Sequence, residues 1–167
     1  YYTALGPFID CTTSGDDFGT QHGLFMSVSM FQELVAPYLK ERIRYTKSFT
    51  SAAFQHHSCG SVFDLIPTLI DCGVDLLNPI QPGATKMEPE ILLDAYAGSI
   101  AFWGGVDTQD LLVNGTPEKV KAETHRLLHL FDGRGAYVLS PAHCIQDDVP
   151  AENLLAVYEA AAEEYGL

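Results

Sequence analysis

His57 and Cys59 stand two residues apart at the end of an apolar run, in Ser51-Ala-Ala-Phe-Gln-His-His-Ser-Cys-Gly60. Side chains at i and i+2 of a strand point to one face. An imidazole and a thiol at this spacing can grip one metal ion between them. Zinc takes such nitrogen and sulfur ligands, and a catalytic zinc keeps three protein ligands and one open position. A third ligand is available far downstream at His143-Cys144, in Ser140-Pro-Ala-His-Cys-Ile145. The plain alternative for Cys59 is a small buried apolar residue.

The chain around these residues has 167 positions, enough for one domain with a sizeable core, and 47% of them are apolar. No apolar run approaches the roughly 20 residues of a membrane span, so no membrane association is expected. The first residues carry no basic segment of a signal peptide. The absence of a starting Met reads as a processed chain or a piece of a longer one. A net charge of −13 repels phosphate backbones, which argues against nucleic-acid binding. Cys11, Cys59, Cys72 and Cys144 form neither a disulfide framework nor paired Cys-x-x-Cys clamps. Reduced thiols in a cytoplasmic protein are expected.

The elements that must position these residues alternate regularly. Strands are expected at 8–13, 52–56, 74–78, 100–104 and 136–139. Helices are expected from about Met30 (N-cap Ser29, broken near Pro37), at 62–72 with Gly73 as its C′ residue, at 88–97, from Pro117 with Thr116 as N-cap, and at 151–165. Val120, Leu127, Leu128 and Phe131 fit one buried stripe. The βα alternation implies a parallel sheet with helices outside. Each strand ends in a polar loop, where a (β/α)₈ barrel collects its active-site residues. No Gly-x-Gly-x-x-Gly or Gly-Lys-[Ser/Thr] follows a strand, which ranks nucleotide-binding sheets low. Five units fall short of the eight of a barrel, so about three N-terminal units would be missing. Open sheet edges would then favour a homo-oligomer or association through the barrel edge.

Six segments carry a resemblance. They are Asp16-Asp-Phe-Gly-Thr-Gln21, His57-Ser-Cys-Gly60, Gly73-Val-Asp-Leu-Leu-Asn-Pro-Ile-Gln81, Phe102-Trp-Gly-Gly-Val-Asp-Thr-Gln109, Gly115-Thr-Pro-Glu118 and Pro141-Ala-His-Cys-Ile-Gln-Asp-Asp-Val-Pro-Ala-Glu-Asn153. In this order, over nearly the whole chain, the sequence resembles the uroporphyrinogen decarboxylase superfamily. The resemblance implies a (β/α)₈ TIM barrel of which residues 1–167 form a single domain, about the last five βα units. One branch decarboxylates a porphyrinogen without a cofactor, in porphyrin biosynthesis. The other is cobalamin-dependent, and moves a methyl group from a methylcorrinoid to a thiol or a folate. Its thiol-methylating members hold zinc with a His-x-Cys pair and a later Cys.

This implies a zinc methyltransferase with His57, Cys59 and Cys144 as metal ligands. Methylcobalamin or a corrinoid protein would be the donor, and a small thiol or folate the acceptor. His143 falls on the histidine of the decarboxylases' Gly-His-Gly and nearer the methyltransferases' later Cys. Either residue can close the site; Cys144 is the expected ligand, with His143 beside the substrate. Asp17 and Asp107 are the catalytic candidates, and helix capping is their alternative role. Gln21 and Gln81 are substrate-binding candidates, with loop hydrogen bonding as the alternative for Gln81 and Gln109. His56 should point away from the face of His57, Trp103 should be core, and His125 and His129 should form a solvated helix face. The four arginines (Arg42, Arg44, Arg126 and Arg134) avoid the strand-end segments, which weakens the decarboxylase alternative. A further alternative is an inactive half-barrel or binding module.

Overall fold

The computed structural model describes residues 2–167; Tyr1 lies outside the described residues. Five strands, β1 (Cys11–Gly15), β2 (Ala53–His57), β3 (Leu76–Ile80), β4 (Ala101–Val106) and β5 (Tyr137–Pro141), form one sheet in sequential order. Every neighbouring pair is parallel. Parallel neighbours require a crossover on the outside, and helices supply it each time.

After α1 (Tyr2–Leu5), the crossovers are made by α2 (Val28–Leu34) with α3 (Ala36–Lys47), by α4 (Ile66–Cys72), by α5 (Pro89–Tyr96), and by α6 (Leu111–Asn114) with α7 (Pro117–Phe131). The chain then runs through α8 (Ala151–Tyr165). This is the architecture of a partial TIM barrel.

The core lies between sheet and helices. Phe54, Leu77 and Phe102 point outward from three successive strands and meet Phe31, Ile43, Leu65 and Leu69. Each such fully buried side chain contributes about 1.5–3 kcal/mol relative to exposure. Val106, Leu112, Val120, Leu127, Ala156 and Val157 make a second cluster under α7 and α8. The expected stripe of α7 is buried along its length.

Several boundaries differ from the sequence expectation. Phe8 belongs to a 3-10 turn, Gly6–Phe8, and β1 starts only at Cys11. The cap of α2 is Ser27, whose Oγ accepts from the Met30 N–H at 3.2 Å; Ser29 lies inside the helix. The break near Pro37 falls at Val35. The expected helix from Val62 opens as a 3-10 turn, Phe63–Leu65. Gly73 takes the left-handed conformation, φ +98°, that ends α4. β3 continues through Pro79, where the ladder to β4 shifts register between Leu77 and Ile80. Proline lacks the N–H a regular ladder needs, so it sits where pairing is irregular. Trp103 is half-buried rather than core, because alternation turns it to the face of β4 opposite Phe102.

Candidate metal centre

The parallel register lines up Gly15, His57 and Asn78 across three strands at one end of the sheet. Alternation then divides the two histidines of β2. His56 turns outward, is fully buried, and stacks on Phe18 with centroids 5.7 Å apart. Its Nδ1 lies 2.9 Å from the Ser14 Oγ, while its buried Nε2 has no hydrogen-bond partner. Burial foremost, then the positive Arg42, pushes the His56 imidazole down to about 4.

His57 turns to the other face. Its Nε2 lies 3.2 Å from the Cys59 Sγ, and its Nδ1 lies 2.7 Å from the Asn78 Oδ1. The loop after β5 brings His143 over the same point, with its ring centroid 6.2 Å from that of His57. One ligand atom each from His57, Cys59 and His143 lie within 4.8 Å of one another. Ligands of a tetrahedral zinc at 2.0–2.3 Å stand about 3.3–3.8 Å apart. The trio therefore closes on such an ion with small side-chain adjustments, and the donor set is one that zinc takes.

Cys144, the expected third ligand, is exposed on the next residue and is not part of this trio. It stays close enough to act electrostatically on Cys59. Successive loop residues point differently, and it is the imidazole, itself exposed, that turns towards His57 and Cys59. Burial first, then Asp17, then Cys144 push the Cys59 thiol up to about 11. Without a cation, Cys59 is a protonated thiol at neutral pH.

The loop carrying Cys59 is fixed from three sides. Asp17 Oδ1 accepts from the Cys59 N–H at 2.9 Å and lies 3.7 Å from His57 Nε2. Gln81 Oε1 accepts from the Gly60 N–H at 2.9 Å. Ser58 Oγ accepts from the Phe18 N–H at 3.0 Å. Gln81 thus meets the site through its backbone, and Asp17 meets both the backbone and the His57 imidazole.

Asp107 does something different. One carboxylate oxygen accepts from the Gln109 N–H and the other from the Asp110 and Leu111 N–H groups, at 3.0–3.1 Å. It caps the turn into α6. Gln21 is exposed, and its carbonyl accepts from the Thr85 N–H at 3.0 Å. Gln109 is exposed as well.

His125 and His129 pair with Glu163 and Glu164 on α8. Arg42 reaches from α3 to the end of β1, where its NH2 group lies 3.2 Å from Ser14 Oγ and 3.9 Å from Asp16. A cation therefore approaches this rim, which the strand-end segments alone do not contain. Asn78 was visible in the sequence only as the end of a strand; its partnership with His57 follows from the β2–β3 register.

A sheet of this order with a His/Cys cluster at its strand ends defines a barrel-type enzyme scaffold. Residues 15–164 match the family model of uroporphyrinogen decarboxylase (URO-D), and the chain belongs to that family. It is 26% identical over 136 residues, 81% of this chain, to the methylcobamide:CoM methyltransferase MtaA of Methanosarcina barkeri (strain Fusaro / DSM 804). A solved methyltransferase from Methanosarcina mazei superposes with a TM-score of 0.67 at 26% identity, covering 93% of this chain. The chain spans 38% of the curated relative and 42% of the solved chain. Both of these similar proteins are methyltransferases. Among the described residues, no helix is long and apolar enough to cross a membrane.

Proposed function

We propose that this chain forms the metal-binding side of a zinc-dependent methyltransferase that moves a methyl group from a methylcorrinoid to a thiol. The observation that carries this reading is the convergence of His57, Cys59 and His143 within 4.8 Å at the strand ends. Likeness to two methyltransferases supports the reaction class. Zinc bound by this trio would supply the positive charge that holds an acceptor thiol as its nucleophilic thiolate at neutral pH.

The chain's own residues prepare that chemistry. Cys59 would give up its proton to ligate such an ion, against the upward push that burial and Asp17 exert on it. Asp17 and Gln81 hold the backbone of the Cys59–Gly60 turn and so fix the direction of Sγ. On this reading residues 1–167 form one domain, the C-terminal portion of a barrel, in a cytoplasmic protein whose partner is a corrinoid protein or free cobalamin.

The test uses the full-length protein with methylcobalamin and a panel of small thiols, followed by absorbance as the methyl-cobalt bond is lost. Zinc-dependent demethylation with a methylated thiol as product is expected. Methylation of a folate instead would replace the acceptor. No demethylation, together with release of CO₂ from uroporphyrinogen, would establish the decarboxylase reading.

A further inference from the structure

We infer that Asn78 is a positioning residue that sets the tautomer and orientation of His57, and thereby points the bare nitrogen of that ring at the metal position. The inference takes its metal from the proposed function, while its account of the ring stands on geometry alone.

His57 Nδ1 and Asn78 Oδ1 are 2.7 Å apart. An amide oxygen can only accept, so Nδ1 carries the proton and donates. In a neutral imidazole the other nitrogen, Nε2, is then left with its lone pair. That nitrogen faces the Cys59 Sγ at 3.2 Å. The bare nitrogen and the sulfur therefore face one another across the position that a shared ion would take.

Asn78 is itself held twice from the β2 side. It pairs with His57 in the β2–β3 ladder, and its main-chain carbonyl accepts from the Ser58 N–H at 2.7 Å. The brace on the imidazole is thus built into the sheet, and does not depend on a loop. A reversed tautomer would place an N–H where the metal must bind. A neutral amide also adds no negative charge to the centre, unlike the carboxylate that often braces a metal-bound histidine.

Three forms of the full-length protein test this: wild type, Asn78→Leu, which keeps the shape but cannot accept, and Asn78→Asp, which keeps the acceptor. Nitrogen-15 NMR of the metal-free protein reads the His57 tautomer, and zinc titration against a chromophoric chelator reads affinity. Wild type should show Nδ1 protonated and Nε2 bare, and Asn78→Asp should keep that pattern. Asn78→Leu should lose it and bind zinc about 10–100-fold more weakly, while melting as a folded protein. If Asn78→Leu does not fold, Asn78→Ser, with too short a side chain to reach, supplies the same contrast with Asn78→Asp. A wild-type ring protonated at Nε2, or a folded Asn78→Leu protein with unchanged tautomer and zinc affinity, would overturn the inference. Wild-type protein that shows the tautomer contrast but binds no zinc would defeat the zinc reading alone.

Discussion

Gly60 and Gly19 pack backbone to backbone: a Cβ on Gly60 would fall 2.6 Å from the Gly19 carbonyl carbon, and Gly60 itself holds φ at +79°. Two loops from different strands therefore meet without any side chain between them. The contact presses the turn after Cys59 against the loop after β1, which carries Asp17. Gly60→Ala combines a left-handed backbone with a clash against main-chain atoms that cannot swing away. It should cost about 1–3 kcal/mol from backbone strain alone, and displace Cys59. Urea unfolding and zinc titration of the variant check both effects; unchanged zinc affinity would show that the contact does not position the thiol.

Zinc content should separate the candidate ligands. His57→Ala, Cys59→Ala and His143→Ala should each lose bound zinc, and Cys144→Ala should retain it, because the first three share the 4.8 Å cluster. Metal analysis of the purified variants reads the outcome directly. Loss of zinc in Cys144→Ala with retention in His143→Ala would exchange the two.

The reactivity of Cys59 should depend on pH in the direction its surroundings dictate. With the thiol pushed up to about 11, the thiolate is scarce at pH 8 and increases about tenfold per pH unit below that value. Alkylation of metal-free protein should follow this rise. Burial is the main cause and should persist in Asp17→Asn, where the profile should move only part of the way to lower pH. Fast alkylation at neutral pH would contradict the assignment.

Acid should destabilise the fold through His56. Its imidazole is held neutral down to about 4, whereas an unfolded chain titrates near 6.5. The unfolded state therefore binds the extra proton between these values. The stabilising contribution is complete above about pH 6.5 and declines by about 1.4 kcal/mol per pH unit as pH falls towards 4. Urea midpoints measured across this window should show the slope in wild type. A smaller slope is expected for His56→Gln, and an identical slope would assign acid sensitivity elsewhere.

Asp107 should behave as a cap. Its carboxylate is taken up by three backbone N–H groups, so Asp107→Ala should cost about 1 kcal/mol of stability. Zinc affinity should stay unchanged. A large loss of zinc in a folded Asp107→Ala protein would return it to the metal centre.

The sequence by itself determined the parallel architecture, because short apolar runs alternate with capped helical segments, and each signal is local. Gly73, Pro37 and the stripe of α7 act through backbone conformation or helix periodicity and need no distant partner. His57 with Cys59 was legible for the same reason, since both lie on one strand end. Boundaries such as Phe8 and Ser29 shifted because neighbouring turns and caps compete with the local pattern.

What only the tertiary structure decided is the company that pair keeps. β2 and β5 are separated by two strands, and in a flat sheet three spacings would hold them roughly 14 Å apart. His143 nevertheless reaches His57, with ring centroids 6.2 Å apart, because the tertiary fold carries the loop after β5 across to the end of β2. That path is not written in the residues around His143. The approach of His143 to His57 and Cys59, the contact of Asn78 with His57 and the contact of Gly19 with Gly60 all depend on how distant segments pack or on the register between strands. These are relations between distant segments, set when the strands pack side by side.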